Sequence, residues 1–176
     1  MSHAEGKGTA ARNYYSHAEG YLTSANGVAD HAEGYDTTAN GKGAHAEGYD
    51  TFAGNVGSHA EGIDTEAPSI GSHTEGYGTF AHGDYEHVQG KFNLSGEHAW
   101  KYCHVVGNGT DSNNRSNAHT LDWDGNAWFA GNIYIGGTSQ YDSAAKKLTA
   151  IGEPYVIDSE AYTYGDDALK AILEGR

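Results

Sequence analysis

Small and polar residues in the first hundred positions recur on a fixed beat of fourteen. With Ser2 as position one, position three is Ala4, Ala18, Ala32, Ala46, Ala60, Thr74 and Val88. Position eight is Thr9, Thr23, Thr37, Thr51, Thr65 and Thr79 before it becomes Asn93, and position ten runs Ala11, Ala25, Ala39, Ala53, Ala67 and Ala81 before Ser95. Position five is glycine throughout, from Gly6 to Gly90. A short fixed period of this kind predicts a solenoid with one coil per repeat. Because strand side chains alternate between faces, positions three, eight and ten point into the roll from two short strands, at positions one to four and eight to eleven. Position twelve is mostly Gly or Asn (Asn13, Gly27, Gly41, Asn55), which predicts a left-handed turn there. Seven such coils would make a roll about 34 Å long at the spacing of neighbouring strands.

The positions that point outward differ between the two strands. Position nine (Ala10, Ser24, Thr38, Phe52, Glu66, Phe80) and position eleven (Arg12, Asn26, Asn40, Gly54, Pro68, His82) vary as a solvent face does. On the other strand, position two is His3, His17, His31, His45, His59, His73 and His87, and position four is Glu5, Glu19, Glu33, Glu47, Glu61 and Glu75. An outward face this strict reads as one pressed against further copies of the chain. Carboxylates stacked at the coil spacing would repel by roughly 3 kcal/mol per neighbour at an effective dielectric of 20. A parallel His column supplies donors and positive charge to offset that, and His–Glu pairs across subunit interfaces are the expected arrangement. A solvated ladder, a metal site and acid–base chemistry are the competing readings. Metal and catalysis rank low, because identical columns look structural and single out no ligand motif or distinct pocket. No cofactor is expected. Tyr21, Tyr35, Tyr49 and Tyr77 at position six, interrupted by Ile63, read as a cover for the adjacent turn.

Composition fits this picture and bounds the partners. The 176 residues include 26 glycines, and hydrophobic residues make up 37%. A core of Ala and Thr is thin for an isolated chain, so oligomerisation is the expected remedy. A net charge of −14 disfavours nucleic acid and anionic membranes. Cys103 is the single cysteine, so no intrachain disulfide is possible. No apolar run is long enough to span a bilayer. The repeat begins at residue 2, which leaves no room for a signal peptide and suggests a fragment of a longer chain.

The beat fails after Asn93, and large residues take over: Trp100, Tyr102, Trp123, Trp128 and Phe129. Tyr102 to Val106 reads as a strand, Asp111 to Asn117 as a loop, and His119 to Trp123 with Asn126 to Gly131 as a hairpin turning at Asp124-Gly125. Ile133 to Ile135 suggests a further strand. The expected product is a β cap with an aromatic core, intertwined among three chains. Helices are expected at Ser143 to Thr149 and at Asp166 to Gly175, the latter with Leu169, Ile172 and Leu173 on one face.

The repeat SHAEG-x-x-T-x-A-x-G-x-x resembles the fourteen-residue head repeat of trimeric autotransporter adhesins, whose usual core is Ser-Val-Ala-Ile-Gly. The resemblance implies a trimer of left-handed parallel β-rolls, with His and Glu where the adhesins carry Val and Ile at the trimer seam. The His-Ala-Glu-Gly spelling is similar to repeats in tail-fibre and receptor-binding proteins of phages and prophages of Gram-positive bacteria. Similar segments are His87-Val88-Gln89-Gly90-Lys91-Phe92-Asn93 and His104-Val105-Val106-Gly107-Asn108-Gly109. Arg115 to Trp123 followed by Gly125 to Gly131 resembles the closing segment of such proteins most specifically.

The combined expectation is an all-β chain with a β-roll over residues 1–99, a β cap over 100–137 and a tail with a short helix over 138–176. It would act as a homotrimer in a virion tail, attaching to a host-cell receptor without catalysis. The seam would comprise the His and Glu columns from His3 to His87. Phe52, Glu66, Phe80 and His82 on the roll, with Asp111 and Asn114 on the cap loop, are candidate contacts for the receptor. An adhesin head is the runner-up, and a fibre-borne hydrolase or autoprotease the third reading.

Overall fold

The structure, a computed structural model, describes residues 1–94, 100–131, 141–142 and 147–148. In the roll, each of the first five coils adds one long and one short strand, and the last two add one strand each to the long sheet. In chain order these are β1 (His3–Lys7), β2 (Ala10–Ala11), β3 (His17–Tyr21), β4 (Ser24–Ala25), β5 (His31–Tyr35) and β6 (Thr38–Ala39). They continue as β7 (His45–Tyr49), β8 (Phe52–Ala53), β9 (His59–Ile63), β10 (Glu66–Ala67), β11 (His73–Thr74) and β12 (His87–Lys91). The cap contributes β13 (Tyr102–Asn108), β14 (Asn117–Asp122) and β15 (Ala127–Phe129).

The chain is thus a parallel β-solenoid of about seven turns. Its long sheet has ten strands in the order β1-β3-β5-β7-β9-β11-β12-β13-β14-β15, and its short sheet has five, β10-β8-β6-β4-β2. Each residue pairs with its equivalent one coil on, as in His31↔His45, Ala32↔Ala46 and Glu33↔Glu47. Exact register is what stacks identical side chains into columns.

The three inward columns lie where the periodicity places them. Ala18, Ala32, Ala46 and Ala60 meet Ala25, Ala39, Ala53 and Ala67, all fully buried. The Thr column from Thr23 to Thr79 is buried beside them. Toward the cap the core thickens, as Thr74, Val88 and Val105 take the alanine's place.

The strand limits shift from those expected. Long strands occupy positions two to six, and short strands only nine and ten. Position one is a buried turn residue. Ser16, Ser58 and Ser72 donate their hydroxyls to the carbonyls of Asn13, Asn55 and Ser69 at 2.7–2.8 Å. Asp30 accepts from the amides of Gly27 and, in the next coil, Ala44, whose own side chain cannot close its turn. Glu86 accepts from Gly83 N at 2.9 Å.

The left-handed turn expected at position twelve is also displaced. The positive φ angles fall at position seven (Leu22 59°, Asp36 55°, Asp50 54°, Asp64 55°) and at fourteen (Tyr15 63°, Ala29 59°, Tyr85 61°). Gly27 and Gly41 serve closeness instead, since a Cβ on Gly27 would stand 1.9 Å from the carbonyl oxygen of Gly41. Position five needs glycine on both counts: Gly48 has φ +112° and a Cβ there would lie 2.2 Å from Gly62 O.

The long sheet crosses residue 99 without ending. β12 pairs in parallel with β13 through His87↔His104, Val88↔Val105 and Gly90↔Gly107, and β14 and β15 then follow antiparallel. The short sheet stops differently. Asn93, at the Thr position, is buried and uses its side-chain amide on Phe80, accepting from Phe80 N at 2.8 Å and donating to Phe80 O at 2.9 Å. That amide stands in for the backbone of a further strand. Arg115 ties cap to roll, donating to Gly78 O at 2.7 Å with its guanidinium 4.6 Å above the Phe80 ring.

The hairpin at Asp124-Gly125 forms, with Asp122 accepting the amides of Asp124 and Asn126. Among the described residues no aromatic core forms: Trp100, Trp123, Trp128 and Phe129 are 71, 55, 55 and 45% exposed. The cap strands add one sheet layer, and among the described residues no second short sheet covers it. Beyond Gly131 lies a separate unit, in which Tyr141–Asp142 and Lys147–Leu148 pair antiparallel as β16 and β17. Within the helix expected over Ser143 to Thr149, Lys147 and Leu148 are strand, and the rest of that stretch lies outside the described residues. The expected strand at Ile133 to Ile135 and helix at Asp166 to Gly175 lie outside the described residues.

Candidate functional site

The His–Glu face of the long sheet combines order with unspent chemistry. Residues two and four of each coil flank the buried residue three, so their side chains leave the roll together. Exact register stacks the imidazoles from His3 to His87 face to face, with centroids 4.7–5.1 Å apart and planes within 12°. Each carboxylate faces the imidazole of the next coil. Nε2–Oε1 distances are 3.5 Å for His31–Glu19, 3.5 Å for His45–Glu33 and 3.6 Å for His59–Glu47. They are 3.3 Å for His73–Glu61 and 3.7 Å for His87–Glu75. The His column therefore offsets the Glu ladder along a single chain, where the sequence reading placed the pairs between subunits. At the open end His3 and Glu5 stand 3.8 Å apart and largely exposed.

Only the His73–Glu61 contact has hydrogen-bond geometry. Nε2 of His17, His31, His45, His59 and His87 is buried and has no hydrogen-bond partner. Burial, aided by neighbouring imidazoles, holds His59, His87 and His104 below the ordinary histidine range, which favours neutral rings. Burial also pushes Glu47 up, with the adjacent carboxylates adding to it. Partial burial pushes Glu61 up as well, yet its hydrogen bond from His73 and the neighbouring side chains carry it below its ordinary value.

The column extends past the repeat. His104 follows His87 at 5.3 Å, His119 follows His104 at 5.5 Å, and Phe129 closes the row 4.5 Å from His119, all tilted. Gln89, at the Glu position, lies 3.2 Å from His104 Nε2. Sequence reasoning ended the column at His87 and treated His104 and His119 as cap residues. The signal it passed over is the echo of His87-Val88-Gln89-Gly90 in His104-Val105-Val106-Gly107, hidden by a three-residue slip in phase.

The candidate contact residues are more engaged than expected. Phe52, Glu66, Phe80 and His82 are all half-buried. Phe80 lies beneath Arg115 and against the ring of His82 at 5.7 Å. Burial raises Glu66, with Asp64 adding to it. Asp111 and Asn114 are occupied with each other: Asn114 Nδ2 donates to both Asp111 oxygens at 3.0 Å, which holds Asp111 below its ordinary range. They shape the loop. The Tyr column forms as a stack, with Tyr21, Tyr35 and Tyr49 at 4.9 Å intervals, so most ring faces are already covered by one another.

Among the described residues no helix is long and apolar enough to cross a membrane. No family model matches the chain, no curated protein matches it, and no solved structure does.

Proposed function

We propose that the protein is a trimeric tail-fibre or receptor-binding segment of a phage or prophage, joined along its His–Glu faces and displaying its remaining surface for attachment to a host cell. The observation that carries this reading is the contrast between outward faces. Seven coils hold His at position two without exception; from His31 to His73 the side chains sit about a third exposed, and Nε2 of His17, His31, His45, His59 and His87 is buried with no hydrogen bond. Stacking within one chain accounts for the order of the rings, but not for ring nitrogens left buried without a hydrogen bond. A face awaiting further copies of itself accounts for those, because each added chain brings the same donors and acceptors in the same spacing.

The thin core supports the same reading. An interior of Ala and Thr buries little apolar surface per residue, and the exposed aromatics of the cap give three chains something larger to bury. The resemblance of the repeat and of Arg115 to Gly131 to phage fibre proteins supplies the virion role.

Light scattering on the purified chain tests assembly. The expected mass is three times the chain's 18.6 kDa, and a monomer at micromolar concentration would end the seam assignment. Attachment is tested by incubating labelled protein with a panel of Gram-positive cell walls. Retention on some strains and not others is expected; retention on none would remove the attachment role while leaving the assembly result intact.

A further inference from the structure

The three sets His17/Glu19/His31, His31/Glu33/His45 and His45/Glu47/His59 each bring two imidazoles and one carboxylate together, with donor atoms within 4.8 Å of one another. We propose that this stretch of the seam binds a late first-row divalent transition-metal ion, of the Zn²⁺ class, through two Nε2 atoms and one carboxylate oxygen. The sequence reading set metal aside because every column looked alike. In three dimensions they are not alike.

The four imidazoles of these sets, His17, His31, His45 and His59, all have a buried Nε2 with no hydrogen bond. Outside them, His73 has its Nε2 engaged by Glu61 at 3.3 Å, and His87, though its Nε2 is also buried and unbonded, joins no such set. A buried ring nitrogen without a hydrogen bond is poorly served, and a metal ion that displaces any proton on it is one partner that satisfies it. Imidazole and carboxylate together suit Zn²⁺, Ni²⁺ and Cu²⁺ over harder cations. Bond lengths of about 2.0–2.2 Å place tetrahedral ligand atoms roughly 3.4 Å apart. The His31–Glu19, His45–Glu33 and His59–Glu47 separations of 3.5, 3.5 and 3.6 Å already match, and a small tilt of the stacked rings brings in the second nitrogen. The net charge of −14 adds a field that attracts cations.

Sharing fixes the stoichiometry. His31 belongs to the first and second sets, and His45 to the second and third. Each offers a single Nε2 on this face, so filling the outer two sets excludes the middle one. A chain saturates at two ions. Each donor set lies within one chain, so the count per chain does not depend on the trimer proposed above.

The test is titration of the untagged full chain with Zn²⁺ by calorimetry, and with Co²⁺ followed by its visible absorption. Two ions per chain are expected. Glu19→Gln with Glu47→Gln leaves only the middle set complete and should lower the count to one. His31→Ala with His45→Ala breaks all three sets and should abolish binding. Should that variant fail to fold by circular dichroism, the triple change Glu19→Gln, Glu33→Gln and Glu47→Gln decides, since it keeps every imidazole and nearly the same shape. It should lose stoichiometric binding. Absence of binding to the native chain, three ions per chain, or undiminished binding by the folded His or triple Gln variant would each overturn the proposal.

Discussion

The long and short sheets of the roll run over one shared core of alanine and threonine, yet their outer surfaces follow different rules. Five-residue strands carry His and Glu in fixed columns, while two-residue strands carry whatever residue each coil happens to have, from Ser24 to Phe52 to Glu66. Backbone demand does not explain the difference, since both sheets are parallel and in register. Side-chain stacking does. A column tolerates variety when its members need only water, and requires identity when each ring and carboxylate must meet its neighbour. The contrast teaches that inward conservation of type marks folding, whereas outward uniformity marks an interaction.

The sharpest way to break the comparison is through the glycine that lets the long strands approach. Gly48→Ala places a Cβ 2.2 Å from a carbonyl oxygen at φ +112°. We expect it to cost more than about 3 kcal/mol and to melt the roll well below the native chain in circular dichroism. Gly57→Ala is the control, with φ +63° and nothing within 4 Å of the added methyl, for a cost of about 1–2 kcal/mol. Equal losses would mean that strand approach is not what position five protects.

The core itself comes next. Ala46 and Ala53 are fully buried, one under each sheet. Ala46→Leu and Ala53→Leu should each cost about 1–3 kcal/mol by overpacking, measured as a shift in urea midpoint. Similar values for both would confirm a single core. A large cost under one sheet alone would divide it.

Glu86 provides a pH test at similar scale. Its burial pushes the carboxyl up to about 7 from an ordinary 4.5, against the opposing amide of Gly83. The folded chain therefore keeps a proton that the unfolded chain releases. The stability this contributes is complete below pH 4.5 and lost as pH rises through about 7, amounting to at most about 3 kcal/mol. His59, His87 and His104 work in the opposite sense. Their depressed values make stability complete above pH 6.5 and lost as pH falls. Glu86→Gln should remove the first effect and leave the second, so the variant gains on the native chain from pH 5 to pH 8. A stability difference between the two that does not change with pH would refute the burial argument.

Much of this was legible in the bare chain. The phase of fourteen, the inward alanine and threonine columns, the outward His and Glu, and the turn at Asp124-Gly125 all follow from spacing and side-chain alternation. The misses share a physical origin in contact between coils. Gly27 and Gly48 act on the backbone of the coil above, which a list of residues along one coil does not reveal. Asp36, Asp50 and Asp64 look like ordinary surface charge, though they stand where φ is positive, a conformation Asp adopts more readily than most residues. The extension of the column to His104, His119 and Phe129 requires an inserted stretch and a reversal of strand direction. The unequal chemistry of equal columns, free Nε2 at His45 and a bonded one at His73, is a matter of tenths of an ångström.

The smallest effect on folding is expected from the change that matters most to the proposed seam. His59 and Phe52 sit on opposite outer surfaces, both half-buried and both packed along a column or sheet. In the single chain either alanine substitution removes only partly buried atoms, and a cost near 1 kcal/mol is expected for both. Assembly should separate them. His59→Ala takes one ring from the stack between His45 and His73, at 4.8 and 4.7 Å, and leaves Glu47 without its facing imidazole. The uncovered carboxylates then repel across any seam formed by copies of this face. Sedimentation across a dilution series should show His59→Ala dissociating at higher concentration than the native chain, with Phe52→Ala unchanged. If Phe52→Ala dissociates first, the interaction surface lies on the short sheet, and its variable residues would be the joint.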